Sequence, residues 1–229
     1  MRYTQENGKL LYMNEIAPGV YNCTLSAPKI AGAASAGQFV QVLCGSYELR
    51  RPISICGFDA QLGILRLVFE IRGKGTAWLA ERQAGEMLDL VGPLGHGFPL
   101  SDPGKKAVLV GGGIGTPPLL PVARFYGTNA TVITGFRSAS AAILQEDFAA
   151  VGARTVLCTD DGSAGFHGFT TPVSYTHLDV YKRQVDRDQL HGKSKNTPFK
   201  GMTLTGRVKC TLLGGQAVFG KLESFTDKG

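Results

Sequence analysis

The run "KKAVLVGGGIGTPPLLPVARFYG" constrains this chain more than any other stretch. From Lys105 it reads as a buried apolar strand that enters a glycine turn and then a helix. Pro117 and Pro118 suit the first turn of that helix, whereas Pro121 lies further in and should distort it. "ATVITGFRS" follows as a second strand, "SAAILQEDFAAVG" as a second helix and "ARTVLCTDDG" as a third strand. Strand–helix–strand–helix–strand specifies a parallel sheet with its helices packed on its faces. Such a sheet ordinarily has further strands and a closing helix, and the sequence after Thr171 shows no such pattern.

Upstream of Lys105 the rhythm is different. "GVYNCTLSAP", "GQFVQVLC", "GILRLVFEIRG" and "EMLDLVGPLG" are alternating apolar runs bounded by Gly and Pro, the pattern of a small antiparallel barrel. One helix interrupts them in "GTAWLAERQAG", with Thr76 as the expected N-cap and Gly85 as the stop. The expected fold is therefore an α+β two-domain chain. An antiparallel β-barrel over residues 1–100 precedes an incomplete parallel α/β domain over 105–171.

Composition narrows the function classes. The net charge of +6 invites a polyanion partner, but residues 1–171 hold 14 Lys+Arg against 13 Asp+Glu. Nearly all the excess falls in the tail, with no interleaved aromatic platform, so nucleic acid is not expected as a partner. No apolar run reaches the ~18 residues of a membrane span. The N-terminus has no apolar leader, and the cytoplasm is the default compartment. Cys23, Cys44, Cys56, Cys158 and Cys210 are widely scattered. No metal site can be read from them, and they are expected as reduced, packed thiols.

Four motifs carry candidate chemistry. In "RRPISI", Arg51 offers a guanidinium fork for a diphosphate or a carbonyl oxygen, Pro52 holds the chain extended and Ser54 can bond a heterocycle edge. The alternative is an exposed arginine ahead of a strand. In "GKGTAWL", Gly75 and Thr76 open a helix whose free N–H groups suit phosphate, or they belong to an ordinary helix start. In "LVGGGIGTPPLL" the glycines allow close backbone approach at the end of a strand, but the next strand ends in Arg137 and not in an acid. Packing of a tight turn competes with that reading. Asp160 and Asp161 in "CTDDGSAGFHG" are a carboxylate pair or a polar turn, His167 reads as a loop residue, and no catalytic residue is assigned.

The order "RRPISI", "GKGT", "DLVGPLGHGF", "LVGGGIGTPPLL", "GFRS", "TDDGSAGFHG" resembles the electron transfer subunit of dihydroorotate dehydrogenase B, of the ferredoxin–NAD(P)H reductase superfamily. The resemblance covers about residues 8 to 171. It implies a flavin-binding barrel in which Arg51, Pro52, Ile53 and Ser54 hold FAD, with Arg51 on the phosphate side. Val68, Phe69 and Glu70 would lie along the cofactor, Gly75 and Thr76 would meet its pyrophosphate, and Gly111, Gly112, Gly113 and Gly115 would shape an NAD(H) site. It further implies an FMN-containing catalytic partner subunit and electrons crossing a [2Fe-2S] cluster to FAD and then to NAD, in pyrimidine synthesis. The four cluster cysteines of that family have no counterpart here.

The tail resembles something else. "KSKNTPFKGMTLTGRVKCTLLGGQAVF", within 191–219, is similar to the C-terminus of a dihydroorotase, and "RVKCTLL–GG–QAVF" reads as a hairpin. "VSYTHLDVYKRQ" resembles a junction peptide of assembled metagenomic reading frames. The expectation is a truncated and chimeric chain, with an unstructured junction over 172–190 and a foreign hairpin over 191–229. The rival functions are a stand-alone NAD(P)H–flavin oxidoreductase, a chimera without activity, and a hydrolase suggested by the tail alone. Limited proteolysis tests the junction: cleavage at Lys182, Arg183 or Arg187 should precede loss of an N-terminal fragment. Protection of those sites for as long as the core would show one integral fold.

Overall fold

A computed structural model describes residues 3–46, 49–168, 170, 182–184, 203–205, 210–213 and 216–220. The chain divides into two compact units, Met1–Thr170 and Thr171–Gly229. The first unit opens with six strands: β1 (Thr4–Ala17), β2 (Val20–Ser26), β3 (Phe39–Val42), β4 (Arg51–Asp59), β5 (Ile64–Glu70) and β6 (Met87–Leu94). They close into an antiparallel barrel in the order β1-β2-β5-β4-β3-β6. Alternation along each strand sends one face inward. Leu10, Leu25, Val40, Ile53, Ile55, Leu65, Leu67 and Leu90 meet there as one core. A fully buried leucine such as Leu65 contributes about 1.5–3 kcal/mol by leaving water.

Two helices flank the barrel: α1 (Pro28–Ala33) and α2 (Lys74–Ala80). The sequence pattern showed only α2, because α1 is six residues long and contains a glycine. α1 has no side-chain cap of its own. Glu6 on β1 supplies one, accepting from the Lys29 and Ile30 N–H groups at 3.2 and 2.9 Å. The start of α2 also differs from expectation. Gly73 is the N-cap, and Thr76 sits inside the first turn. There its hydroxyl accepts from the Arg72 N–H at 2.8 Å and donates to the Gly73 carbonyl at 3.1 Å.

The α/β part comprises β7 (Ala107–Gly112), α3 (Leu120–Tyr126), β8 (Ala130–Phe136), α4 (Gln145–Ala150), β9 (Arg154–Thr159) and β10 (Phe166–His167). Its parallel sheet runs β10-β9-β8-β7. His167 is thus a strand residue and not a loop residue. β7 is also not buried as its apolar sequence suggested. It is an edge strand, with Val110 45% exposed. An apolar run cannot by itself distinguish an edge strand from a central one. The proline problem is solved by a split. Pro117–Leu119 forms a 3-10 turn, and Pro121 falls in the first turn of α3, where its missing N–H is not needed. The second helix is likewise shorter than its pattern: Ala139–Ala141 is a 3-10 turn, and α4 starts only at Gln145.

Barrel and sheet share a second apolar core. Ala17, Cys56 and Val68 come to it from the barrel; Leu119, Leu120, Ala123, Phe136 and Phe148 come from the α/β part. Beside it Arg66 on β5 donates through its two terminal nitrogens to the Asp147 carboxylate on α4 and through Nε to Asn22 Oδ1 at 2.6 Å.

In the second unit, β11 (Lys182–Gln184) pairs antiparallel with β12 (Thr203–Thr205), and β13 (Cys210–Leu213) with β14 (Gln216–Gly220). Of the expected junction over 172–190, the described residues are Lys182–Gln184, the three-residue strand β11. The remainder of 172–190, including Arg187, and the Gly214-Gly215 turn lie outside the described residues.

Two predictions follow from this packing. In a double-mutant cycle of Arg66→Ala and Asp147→Ala, each single change should lower Tm, with a coupling of about 0.5–1 kcal/mol. Fully additive losses would show that the ion pair does not tie α4 to the barrel. The second concerns thiols. Cys23, Cys44, Cys56 and Cys158 are buried, and burial pushes the Cys23 and Cys56 thiols up to about 12. The thiolate is the reactive form, so at pH 8 these four should resist a thiol reagent in the native chain and react once it is unfolded. Rapid native labelling of Cys23 or Cys56, read by mass spectrometry, would contradict the packing.

Candidate functional site

Two adjacent arginines at the start of β4 point to different tasks. Arg50 donates to the Asp89 carboxylate at 2.7 Å and to the Asp89 carbonyl at 3.2 Å, which ties the loop ahead of β4 to β6. That hydrogen bond, aided by Gln5, holds the Asp89 carboxyl below the usual carboxylate range despite partial burial. Arg51 lies against α2. A Cβ built on Gly75 would come 2.6 Å from its Nε, so a larger residue there would push the guanidinium out of its present place. Its Nη1 donates to the Leu49 carbonyl at 2.7 Å.

Arg51 borders a cleft of about 290 Å³ together with Pro52, Ile53, Ser54, Val68, Phe69, Glu70, Arg72, Thr76 and Ile114. Strand alternation explains the gathering. On β4, Ile53 and Ile55 enter the barrel core while Ser54 takes the outer face. On β5, Leu67 and Phe69 enter the core while Val68 and Glu70 face out. Ile55 pairs with Leu67, which sets Ser54 and Val68 in neighbouring rows. The cleft combines an apolar wall of Val68, Phe69 and Ile114 with hydroxyls at Ser54 and Thr76 and guanidiniums at Arg51 and Arg72. Helix geometry leaves the Gly75 and Thr76 N–H groups without carbonyl partners inside α2. Arg72 escaped the sequence reading because it stands in no motif, and Ile114 because only the glycines around it in "LVGGGIGTPPLL" were read as candidates.

A second cleft of about 260 Å³ lies at the C-terminal edge of the sheet, lined by Gly112, Gly113, Gly135, Phe136, Arg137, Asp160 and Thr170. The four glycines singled out in the sequence divide here. Gly112 and Gly113 line the cleft, and Gly113 has φ +50°. Gly111 instead permits close packing: a Cβ there would meet Leu119 Cδ1 at 2.7 Å. Gly115 has open space around its Cα and lines neither cleft. Asp160 and Asp161 also separate. Asp160 faces the cleft, whereas Asp161 accepts from the Ser163 hydroxyl and N–H at 2.6 and 2.9 Å. Those bonds hold its carboxyl below the ordinary range. Gly113 and Ile114 are consecutive, so one turn contributes to both clefts.

Among the described residues no three His, Cys, Asp or Glu side chains converge on a possible metal position. No helix among them is long and apolar enough to cross a membrane.

No family model matches the chain. Curated relatives do. The chain is 42% identical over 166 residues to the dihydroorotate dehydrogenase B (NAD(+)) electron transfer subunit of Geobacillus thermodenitrificans, covering 69% of this chain and 64% of that protein. It is 37% identical over 182 residues to the same subunit of Desulforamulus reducens, covering 77% and 70%. It thus spans just under two thirds of the length of the Geobacillus relative. Among solved structures, an NADH-dependent reduced ferredoxin-NADP oxidoreductase aligns with a TM-score of 0.66 at 26% identity, over 76% of this chain and 63% of that one. A ferredoxin reductase of carbazole 1,9a-dioxygenase aligns with a TM-score of 0.67 at 20% identity, over 78% and 58%, and shares the fold. A closed antiparallel barrel joined to a parallel sheet, with this identity to the curated subunits, places the chain in the family of dihydroorotate dehydrogenase B electron transfer subunits.

Proposed function

We propose that this chain carries electrons between a flavin held in the Arg51–Ser54 cleft and a nicotinamide nucleotide at the C-terminal edge of the sheet. The observation that carries the reading is the single cleft shared by Arg51, Ser54, Val68, Glu70 and Thr76, residues that are far apart in sequence. The donor set fits FAD. Arg51 and the N–H groups of Gly75 and Thr76 suit its diphosphate, Ser54 the polar edge of its ring, and Val68, Phe69 and Ile114 its apolar faces. Gly75 is the cradle that a Cβ would fill. A bound flavin supplies the exchange between hydride and single-electron transfer. The chain's own residues orient it and hold its charge.

Gly112 and Gly113 would admit the nucleotide closely, and Arg137 and Asp160 would face its polar end. The Gly113–Ile114 turn, which reaches both clefts, would keep the two rings adjacent. The relatives' names support an oxidising substrate of the NAD type. They also support a catalytic dihydroorotate dehydrogenase subunit as partner; FMN as that subunit's own cofactor is what the family resemblance implies. The described residues do not fit a [2Fe-2S] cluster: Cys23 and Cys44 are packed in the barrel core and Cys56 in the second core. No step is routed through such a cluster.

The test separates the two arginines. Arg51→Ala should weaken FAD binding by about 2 kcal/mol with little change in Tm. Arg50→Ala should lower Tm. Asp89 is depressed in the fold, so the Arg50–Asp89 pair stabilises above the ordinary Asp pKa and loses its effect as pH falls through the folded value. Arg50→Ala should therefore flatten that acid limb. A purified chain that is colourless and gains no flavin absorbance with added FAD would overturn the reading.

A further inference from the structure

Arg72 stands on the rim of the first cleft and belongs to no motif. Its backbone is pinned. The Arg72 N–H donates to Thr76 Oγ1 at 2.8 Å, and the neighbouring Ile71 N–H donates to the Gly19 carbonyl at 2.8 Å. Its side chain is 71% exposed and rests on Glu70, which also lines the cleft. Nε donates to the Glu70 carboxylate oxygen Oε2 at 2.9 Å, and Nη2 lies 2.7 Å from the same oxygen as an ion pair. An exposed pair that shares one oxygen contributes little and exchanges readily. A guanidinium gains much more from two oxygens of a phosphate.

Arg51 and Arg72 both border the cleft, and both lie close to the start of α2. Each guanidinium has a neutral or weakly competing partner at present: a backbone carbonyl for Arg51 and the solvated Glu70 carboxylate for Arg72. We infer that Arg72 is a second diphosphate-binding residue, kept at rest by Glu70 and transferred from that carboxylate to the ligand's phosphates on binding. The inference rests on the FAD reading above. It assigns Glu70 a role as competitor, so removing the Glu70 charge should help the ligand and removing the Arg72 charge should hurt it.

Flavin fluorescence titrations of the full chain with FAD and with riboflavin, which has no phosphate, test the assignment. Arg72→Gln should weaken FAD about tenfold and leave riboflavin unchanged, as expected for loss of one charged phosphate contact. Glu70→Gln should tighten FAD relative to riboflavin. Added inorganic pyrophosphate should compete with FAD less effectively in Arg72→Gln than in the parent chain. If Arg72→Gln binds FAD as tightly as the parent, or loses FAD and riboflavin equally, Arg72 is not a phosphate ligand and the inference fails while the FAD reading stands. If Glu70→Gln weakens FAD, the competitor role fails. If the parent chain binds no FAD, the reading and the inference fall together.

Discussion

Burial of β4 and β5 on both faces is the constraint on which the rest of the unit depends. Their inner residues, Ile53, Ile55, Leu65, Leu67 and Phe69, close the barrel. Their outer residues, Cys56 and Val68, join Leu119, Leu120 and Phe148 in the second core. A barrel strand normally turns its outer face to water. Here that face is apolar where the sheet packs against it and polar where the cleft opens. Period-two alternation does the sorting: Ser54 and Glu70 fall at the open end, Cys56 and Arg66 at the covered end. The cleft is thus held by the same strands that fix the α/β part, and Ile114 can reach it only because the second core brings its turn onto β5.

This arrangement bears on how electrons could move. Two ligand sites on one chain are useful only if their reacting groups approach each other, and in the second cleft Gly112 and Gly113 give the backbone no side chain to interpose. The next residue, Ile114, is a wall of the first cleft. A single 3-10 turn, Gly113–Ile114–Gly115, therefore contributes to both clefts and would stand between the two proposed sites.

Much of this was legible in the sequence, because Gly- and Pro-bounded alternation marks strands and the change of period after Lys105 marks the sheet. The candidate cleft was legible through resemblance and not through periodicity; "RRPISI" alone does not distinguish a ligand arginine from a surface one. β1 was missed because a β-bulge at Leu10–Tyr12 breaks its alternation and leaves both Leu11 and Tyr12 exposed. α1 was too short for any pattern. The N-cap of α2 was misplaced because Thr76 has the right chemistry but acts from inside the first turn. Gly111, Gly112, Gly113 and Gly115 could not be ranked, since one packs against Leu119, two meet a cleft and one does neither. Arg72 and Ile114 depend wholly on tertiary approach.

The Arg50–Arg51 pair imposes a rule on inheritance. Arg50 ties the loop to Asp89 and its neighbour Arg51 borders the cleft, the side proposed above for the ligand. Gain or loss of a single residue in the preceding loop could be absorbed in length, as surface loops usually allow. A shift of register within β4 could not. It would present the wrong side chain to Asp89 and to Gly75 at once. Divergence in this region should therefore accumulate as insertions before Arg50 and as substitutions elsewhere, while the dipeptide and its phase against β5 persist.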